Sequence, residues 1–231
     1  MKYKLPRQVY TQEMSRIVAG QMRKQKLYAR TLSVEQLQQL SEVTQTILED
    51  ELPKHLVCKK LPGDLGKGIF LHPEAKPILK GQMIAPYAGE LSFVSQSVMD
   101  DSPYAFELMD KILLTKEEQA HFDPKHSYHP KRQYCLHVDA LKKGNFIRFI
   151  NHSDTPNVIA HTCKIPANSL GLSESPLEVI YFAQKIIRPG EQLLVCYEGD
   201  DKSYWSALEI EPLPMTPKTL QLNSSLKVIS S

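Results

Sequence analysis

The sequence predicts a mainly β domain that follows a pair of N-terminal helices. From Leu56 onward, short apolar runs alternate with Gly, Pro, Asn and Asp, which is typical of many short strands joined by turns. Before that point, apolar residues recur at helical spacing in two segments. The chain has 231 residues, of which 42% are hydrophobic and 23% charged. This near-average composition excludes wholesale disorder and a fibrous repeat.

The two helices are predicted by apolar positions spread over residues 14–28 and 34–48. Ser33 and Gln36 have the spacing of a capping box, which marks the start of the second helix, and Pro53 ends it. We expect the apolar faces to pack on each other or on the main domain. The helices would then form an appendage and not a catalytic unit.

The rest of the chain divides into a domain and a tail. Strands are predicted at residues 56–58, 68–71, 83–87, 104–109, 134–138, 158–163, 177–183 and 192–197. Residues 110–122 are rich in Lys and Glu and predict a short helix. Proline-rich and serine-containing sequence follows Trp205 and predicts a largely disordered tail. The predicted organisation is an appendage at 1–55, a domain at 56–205 and a tail at 206–231.

Charge is unevenly distributed, although the net charge is only +2. Residues 1–30 hold eight basic side chains and one acidic one. This basic N-terminal segment could make weak contact with nucleic acid or with an acidic protein. Basic residues of this kind more often form the solvent-exposed face of a helix. The chain has no run of about 18 apolar residues and no apolar stretch of a secretory signal at its start. We therefore expect a soluble protein without membrane contact.

The cysteines and histidines do not predict a metal site. The four cysteines, Cys58, Cys135, Cys163 and Cys196, form no C-x-x-C pair, which argues against a zinc cluster and a disulfide scaffold. We expect reduced, mostly buried thiols. The histidines between residues 121 and 129 have a spacing that suits no common metal site, so a polar loop is expected there.

Three segments carry the residues suited to chemistry. Gly66-Lys67-Gly68 precedes a predicted strand, where glycines let a backbone approach a ligand. Asn151-His152-Ser153 ends an aromatic and aliphatic run, and such polar groups are costly when buried unless they pair with each other or with a ligand. The third segment, residues 188–197, is a turn and a strand that ends in Tyr197.

Taken in order, these segments resemble a SET-domain protein lysine methyltransferase. The motifs are Gly66-Lys67-Gly68, Tyr87-Ala88-Gly89-Glu90, Arg148-Phe149-Ile150-Asn151-His152-Ser153 with Pro156-Asn157, and Gly190-Glu191-Gln192-Leu193 leading to Tyr197. The resemblance runs from about Leu56 to Trp205. It implies a pseudoknot-like fold of short strands and small sheets. A short chain without cysteine-rich flanks is also similar to the small SET proteins of bacteria, the chlamydial ones in particular.

The resemblance implies S-adenosylmethionine as cofactor and assigns residues to it. These cofactor-binding residues are Gly66, Lys67, Gly68, Tyr104, Arg148, Asn151, His152 and Trp205. Other interpretations stay open at this point: a plain β-turn for the glycines, core packing for Tyr104, and a hydrophobic clasp for Trp205.

The catalytic tyrosine of the family matches Tyr197, whose hydroxyl would orient the lysine amine. Tyr87 is a candidate wall of the lysine channel, although a purely structural tyrosine is an equal alternative. Val195 stands where many members carry Phe or Tyr, so we expect room for di- or trimethylation. The chain departs from the family at Asp154 and Cys196, where cysteine and aspartate are common. Neither residue is assigned to catalysis, and no metal is expected.

The implied substrate is a lysine-rich protein such as a histone or a bacterial histone-like protein. Residues 109–133 would select the peptide. We expect a location in the bacterial cytoplasm, or delivery to a host nucleus without a classical signal peptide. Two rivals remain: a SET-like binding module without turnover, and a basic chromatin-associated scaffold that uses residues 1–30.

Overall fold

The computed structural model describes residues 5–63, 66–97, 102–167 and 169–197, and these residues are mainly β. They form three helices: α1 (Gln12–Gln25), α2 (Val34–Asp50) and α3 (Lys116–Phe122). They also form eleven strands: β1 (Arg30–Thr31), β2 (Leu56–Lys60), β3 (Lys67–Leu71), β4 (Met83–Pro86), β5 (Glu90–Ser95), β6 (Ala105–Leu113), β7 (Gln133–Asp139), β8 (Asn151–His152), β9 (Val158–Ile165), β10 (Ser175–Ala183) and β11 (Leu194–Val195). The helices of these ranges lack the length and apolarity needed to cross a bilayer. Trp205 and the predicted tail lie outside the described residues.

The helix boundaries follow from capping side chains. Thr11 caps α1 by accepting the N–H of Met14. The predicted capping box at Ser33 and Gln36 is confirmed at the start of α2. A second capping box, at Thr115, starts α3. These side chains satisfy backbone N–H groups that have no partner within the helix.

The strand prediction holds for all eight segments and misses three strands. β5 and the two-residue strands β1 and β8 were not predicted. The segment 192–197 is strand only at Leu194–Val195. β6 extends to Leu113, because irregular pairing with β7 lets it continue past residue 109. The helix predicted within residues 110–122 is therefore confined to Lys116–Phe122.

The chain divides into two compact units, each built from three segments. The first unit comprises residues 1–51, 85–148 and 161–180. In it, β7 lies between β5 and β6 in an antiparallel sheet. α1 joins this sheet through Gln21 and Gln25, whose side-chain amides donate to the carbonyl oxygens of Leu113 and Asp110, both at 2.9 Å. We expected the helices to pack on each other or on the main domain, and these bonds show that α1 contacts the main domain.

A buried ion pair ties the N-terminal segment to β10 within the first unit. The Arg7 guanidinium donates to both carboxylate oxygens of Glu178, at 3.2 and 2.7 Å. Both side chains are almost completely buried. Burial raises the pKa of Glu178, and the Arg7 charge opposes that rise. The Tyr10 hydroxyl donates to the Leu177 carbonyl beside this pair, and burial raises the pKa of Tyr10.

The second unit comprises residues 52–84, 149–160 and 181–231. It holds segments of β4, β10, β9, β11 and β8, side by side in that order. β11 pairs in parallel with β8 and with β9. β2 and β3 form an antiparallel hairpin, and β3 accepts the backbone N–H of Leu193 at Ile69. The second unit therefore brings the first and third sequence motifs side by side.

Candidate functional site

The second unit gathers the predicted cofactor motif and the predicted catalytic tyrosine. Parallel pairing sets Leu194 opposite Asn151 and Val195 opposite His152. This register places Tyr197 just beyond the paired end of β11. The Gly66-Lys67-Gly68 turn lies at the start of β3 in the same unit.

Asn151 fixes the glycine turn. Its side-chain amide donates to the Lys67 carbonyl at 2.8 Å. Gly66 has φ +71°, a left-handed conformation that side chains other than glycine rarely adopt. The Lys67 ammonium lies 5.2 Å from the centre of the Phe149 ring, within the range of a cation–π contact. The turn is thus held by residues of the second motif.

His152 connects the second motif to the third. Its ring is 4% exposed, and Nδ1 accepts the backbone N–H of Tyr197 at 3.1 Å. Nε2 lies 3.2 Å from the Asp154 carboxylate. An accepting Nδ1 requires the proton to be on Nε2, so the bonding pattern assigns the tautomer. Asp154, which departs from the family pattern, therefore supports the orientation of His152.

The Tyr197 hydroxyl is already oriented by the backbone. It donates to the Ile150 carbonyl at 2.8 Å. Its ring centre lies 5.5 Å from that of His152. A phenolic oxygen is also an acceptor, so this hydroxyl can take part in two kinds of hydrogen bond.

Gln192 is a candidate site residue that the sequence motifs did not reveal. Its side chain is fully buried, and neither amide atom has a hydrogen-bond partner within the described residues. A Cβ added at Gly68 would lie 2.6 Å from the Gln192 Nε2 atom. The absence of a side chain at residue 68 therefore makes room for this amide. The signal in the sequence was a polar residue directly before the apolar run 193–195.

We expect Gly68→Ala to destabilise the protein by about 1 to 3 kcal/mol, because the new methyl group overpacks against the buried Gln192 amide. The double variant Gly68→Ala with Gln192→Ala should recover much of this loss, which urea unfolding will measure.

The matched control is Gly20→Ala within α1, where an added Cβ meets nothing within 4 Å. Alanine there should stabilise the protein by about 0.5 to 1 kcal/mol. Equal stabilities of Gly68→Ala and the wild type would contradict the packing role.

Three other predicted site residues belong to the first unit. The Tyr87 hydroxyl donates to the Tyr104 carbonyl at 2.6 Å, and the Tyr87 ring centre lies 6.0 Å from that of Phe106. Tyr87 is 6% exposed, so it is a buried aromatic residue. Arg148 donates to the Ala140 carbonyl at 2.7 Å. The structure thus joins Tyr87 to Tyr104.

The cysteines are free, but only Cys135 and Cys163 are buried. The expectation of mostly buried thiols is therefore wrong for Cys58 and Cys196, whose positions on β2 and after β11 are exposed. In the histidine segment, the His126 ring bonds to Asp123 at 2.6 Å.

The sequence profile of the SET domain matches residues 68–198. The chain belongs to the SET-domain family. A relative in Rattus norvegicus, PR domain zinc finger protein 2, is 26% identical over 176 residues, which are 76% of this chain and 8% of that protein. The histone-lysine N-methyltransferase, H3 lysine-4 specific, of Schizosaccharomyces pombe is 39% identical over 66 residues, which are 29% of this chain and 6% of that protein. This chain thus spans less than a tenth of either relative.

The fold of this SET-domain chain is similar to that of ATXR5, solved in complex with mono-methylated histone H3.1. The TM-score is 0.58, and the match covers 86% of this chain and 81% of that chain. The two are 17% identical, so the likeness concerns the fold. It confirms the predicted mainly β SET fold.

Proposed function

We propose that this SET-domain chain is an S-adenosylmethionine-dependent protein lysine N-methyltransferase. The observation that carries the proposal is the bonded set in the second unit. Asn151 holds the Lys67 carbonyl, His152 accepts the Tyr197 N–H, and the Tyr197 hydroxyl donates to Ile150. Hydrogen bonds therefore join the glycine turn, the Asn-His motif and Tyr197 within the second unit.

The residues of the second unit fit the predicted cofactor. S-adenosylmethionine would supply an activated methyl group on a sulfonium. Its amino acid end carries an ammonium and a carboxylate, which need acceptors and donors. The buried Gln192 side chain offers an amide donor and a carbonyl acceptor, and neither has a partner within the described residues. The Gly66 to Gly68 backbone would hold the same end, and Asn151 and His152 would complete the site.

Tyr197 would act by orienting the lysine amine. Its proton is held by the Ile150 carbonyl, so its oxygen can accept an N–H from a neutral amine. An amine held through one N–H keeps its lone pair free for the methyl group. Positioning of this kind supplies about 7 to 11 kcal/mol in well-oriented reactions. The Tyr197 oxygen would also face the charge that develops during transfer.

The assay for the proposal is transfer of radiolabelled methyl groups to separated histones and to a lysine-rich bacterial DNA-binding protein. Label on either substrate, lost in Tyr197→Phe, would support the enzyme and its substrate class together. Cofactor binding by equilibrium dialysis without any transfer would leave two explanations, a substrate outside the tested set or the rival binding module. No cofactor binding would overturn the proposal.

The remaining site residues of the first unit stay predictions. Tyr87 is our candidate for the channel wall, and Tyr104 and Arg148 are candidates for cofactor contacts. Trp205, which lies outside the described residues, is a further candidate for a cofactor contact. Residues 109–133 are our candidate for peptide selection. Conservative substitution of each, followed by separate measurement of cofactor affinity and peptide KM, will distinguish these roles.

Val195 should set the number of methyl groups. It is 2% exposed on β11, two residues before Tyr197. Since its side chain is small, we expect the wild type to form di- or trimethyllysine. Val195→Phe should stop the reaction at monomethyllysine by filling the space beside the amine. Mass spectrometry of the product tests this, and a wild-type product that stays monomethylated at long times would contradict it.

The family resemblance supports a bacterial origin, and the eight basic side chains of residues 1–30 support a nucleic-acid contact. We propose a small bacterial, chlamydial-type enzyme that reaches a host nucleus, and staining of infected cells that finds it only inside the bacteria would refute this. Weak nucleic-acid contact through residues 1–30 predicts retardation of DNA that disappears steeply with salt.

A further inference from the structure

Three side chains with metal-binding atoms meet on the β6–β7 strand pair of the first unit. Cys135 and His137 are two residues apart on β7, so they face the same side of the sheet. Glu107 of β6 pairs directly with His137. The three ligand atoms all lie within 4.8 Å of one another. None of these residues has a role in the proposed methyl transfer.

The spacing is close to that of a tetrahedral zinc site. Zinc bonds of about 2.0 to 2.3 Å place neighbouring ligand atoms roughly 3.3 to 3.7 Å apart in a tetrahedron. The Glu107 Oε2 atom lies 3.7 Å from the His137 Nε2 atom. Small side-chain rotations would therefore bring the three atoms onto one ion.

The surroundings suit an ion that enters from solvent. The three residues line a cavity of about 360 Å³ together with Val94, Ser95 and Gln96. The Glu107 side chain is 53% exposed, whereas Cys135 is 7% exposed. The Gln96 amide donates to the Cys135 sulfur at 3.6 Å. A donor in that place stabilises a metal-bound thiolate.

We propose that Glu107, Cys135 and His137 bind a zinc ion, with water as the fourth ligand. A thiolate and an imidazole together favour zinc over magnesium or calcium, which prefer oxygen ligands. On binding, the Cys135 thiol loses its proton to solvent as the Zn–S bond forms. The charges of the thiolate and the carboxylate then balance the ion.

The ion would clamp β6 to β7 where their pairing becomes irregular. The ladder shifts register after Glu107 and again after Met109. Lys111 has φ +52°, a left-handed conformation, within this irregular stretch. A cross-strand zinc ion would hold the two strands together at the last regular pair before the shift. Zinc should therefore raise the thermal stability of the protein.

The test is zinc and cobalt binding by the untagged full chain after treatment with a chelator. We expect one equivalent of zinc by titration against a chromophoric chelator. Co²⁺ should give a sulfur-to-metal charge-transfer band. Cys135→Ser and His137→Gln should each weaken zinc binding by more than about tenfold and abolish the effect of zinc on the melting temperature.

The chain offers a matched control on β9. His161 and Cys163 have the same two-residue spacing in the same unit, but they belong to no cluster of three donors within the described ranges. Cys163→Ser and His161→Gln should bind zinc as the wild type does. Circular dichroism of each metal-free variant will show that the fold is kept. Zinc binding that is absent from the wild type, or unchanged in a folded Cys135→Ser variant, would overturn the proposal.

Discussion

Replacing Tyr197 by phenylalanine is expected to lower the rate of methyl transfer by about a hundredfold to a thousandfold, the usual loss when one oriented polar group is removed from a reacting centre. The hydroxyl is held by the Ile150 carbonyl, so the wild type spends no free energy on orienting it during the reaction. Phenylalanine keeps the ring and removes the oxygen. The rate constant at saturating substrate is the quantity to measure.

A catalytic role and a structural role of Tyr197 give different results. Loss of the bond to Ile150 should cost only about 1 kcal/mol of stability. Cofactor affinity should stay at the wild-type value, since the His152 ring accepts the Tyr197 backbone N–H, which the substitution keeps. Tyr28→Phe, at a position that is 90% exposed, serves as the control. A Tyr197→Phe enzyme as fast as the wild type would exclude the proposed role.

The second large effect concerns stability. Arg7→Met should destabilise the protein by about 3 to 5 kcal/mol, because it leaves the Glu178 carboxylate buried without its partner. The side chain of Glu178 is 0% exposed, so water does not replace the lost guanidinium. Urea unfolding at neutral pH will measure the loss.

The same variant should show a specific pH dependence. Burial raises the pKa of Glu178 above its unfolded value, so its contribution to stability falls as pH rises through the folded pKa. Arg7 opposes that rise, and removing it raises the folded pKa further. The destabilisation of Arg7→Met should therefore be smaller at about pH 5 than at about pH 7.5.

Arg16→Met is the control for the Arg7 variant. Arg16 also bonds a carboxylate, that of Glu118 at 2.9 Å, but its side chain is 67% exposed. Exposed ion pairs contribute about 0 to 1 kcal/mol. A loss in Arg7→Met that is equally small, or independent of pH, would show that the buried pair contributes little to stability.

Local patterns in the sequence account for most of the predicted fold. The capping box at Ser33 and the turn residues between strands act over a few positions, so one sequence reveals them. β5 was not predicted, and only its second half, Phe93 to Ser95, alternates between buried and half-buried residues. β1 and β8 have two residues each, and partners distant in sequence define such strands.

The site residues also divide into those that a local sequence pattern reveals and those that only the folded chain brings together. Contiguous motifs revealed Asn151, His152 and Tyr197, and the structure brings them together. The buried Gln192 amide occupies space that is open only because residue 68 is glycine, and Gly68 is distant in sequence. The donors of the proposed zinc site come from two strands, and only the register between Glu107 and His137 brings them together. A spacing rule along one strand therefore could not detect them.

The interleaving of the two units has a consequence for synthesis of the protein. Segments of one unit alternate with those of the other along the chain, and the first unit is complete only at residue 180. Arg7 and its carboxylate partner are 171 residues apart. At about 5 to 20 residues per second, roughly ten to thirty seconds of translation separate them. During that time the guanidinium stays in water, and α1 is made before β6, whose carbonyl oxygens accept its side-chain amides. We therefore expect the first unit to finish folding only after residue 180 has been made.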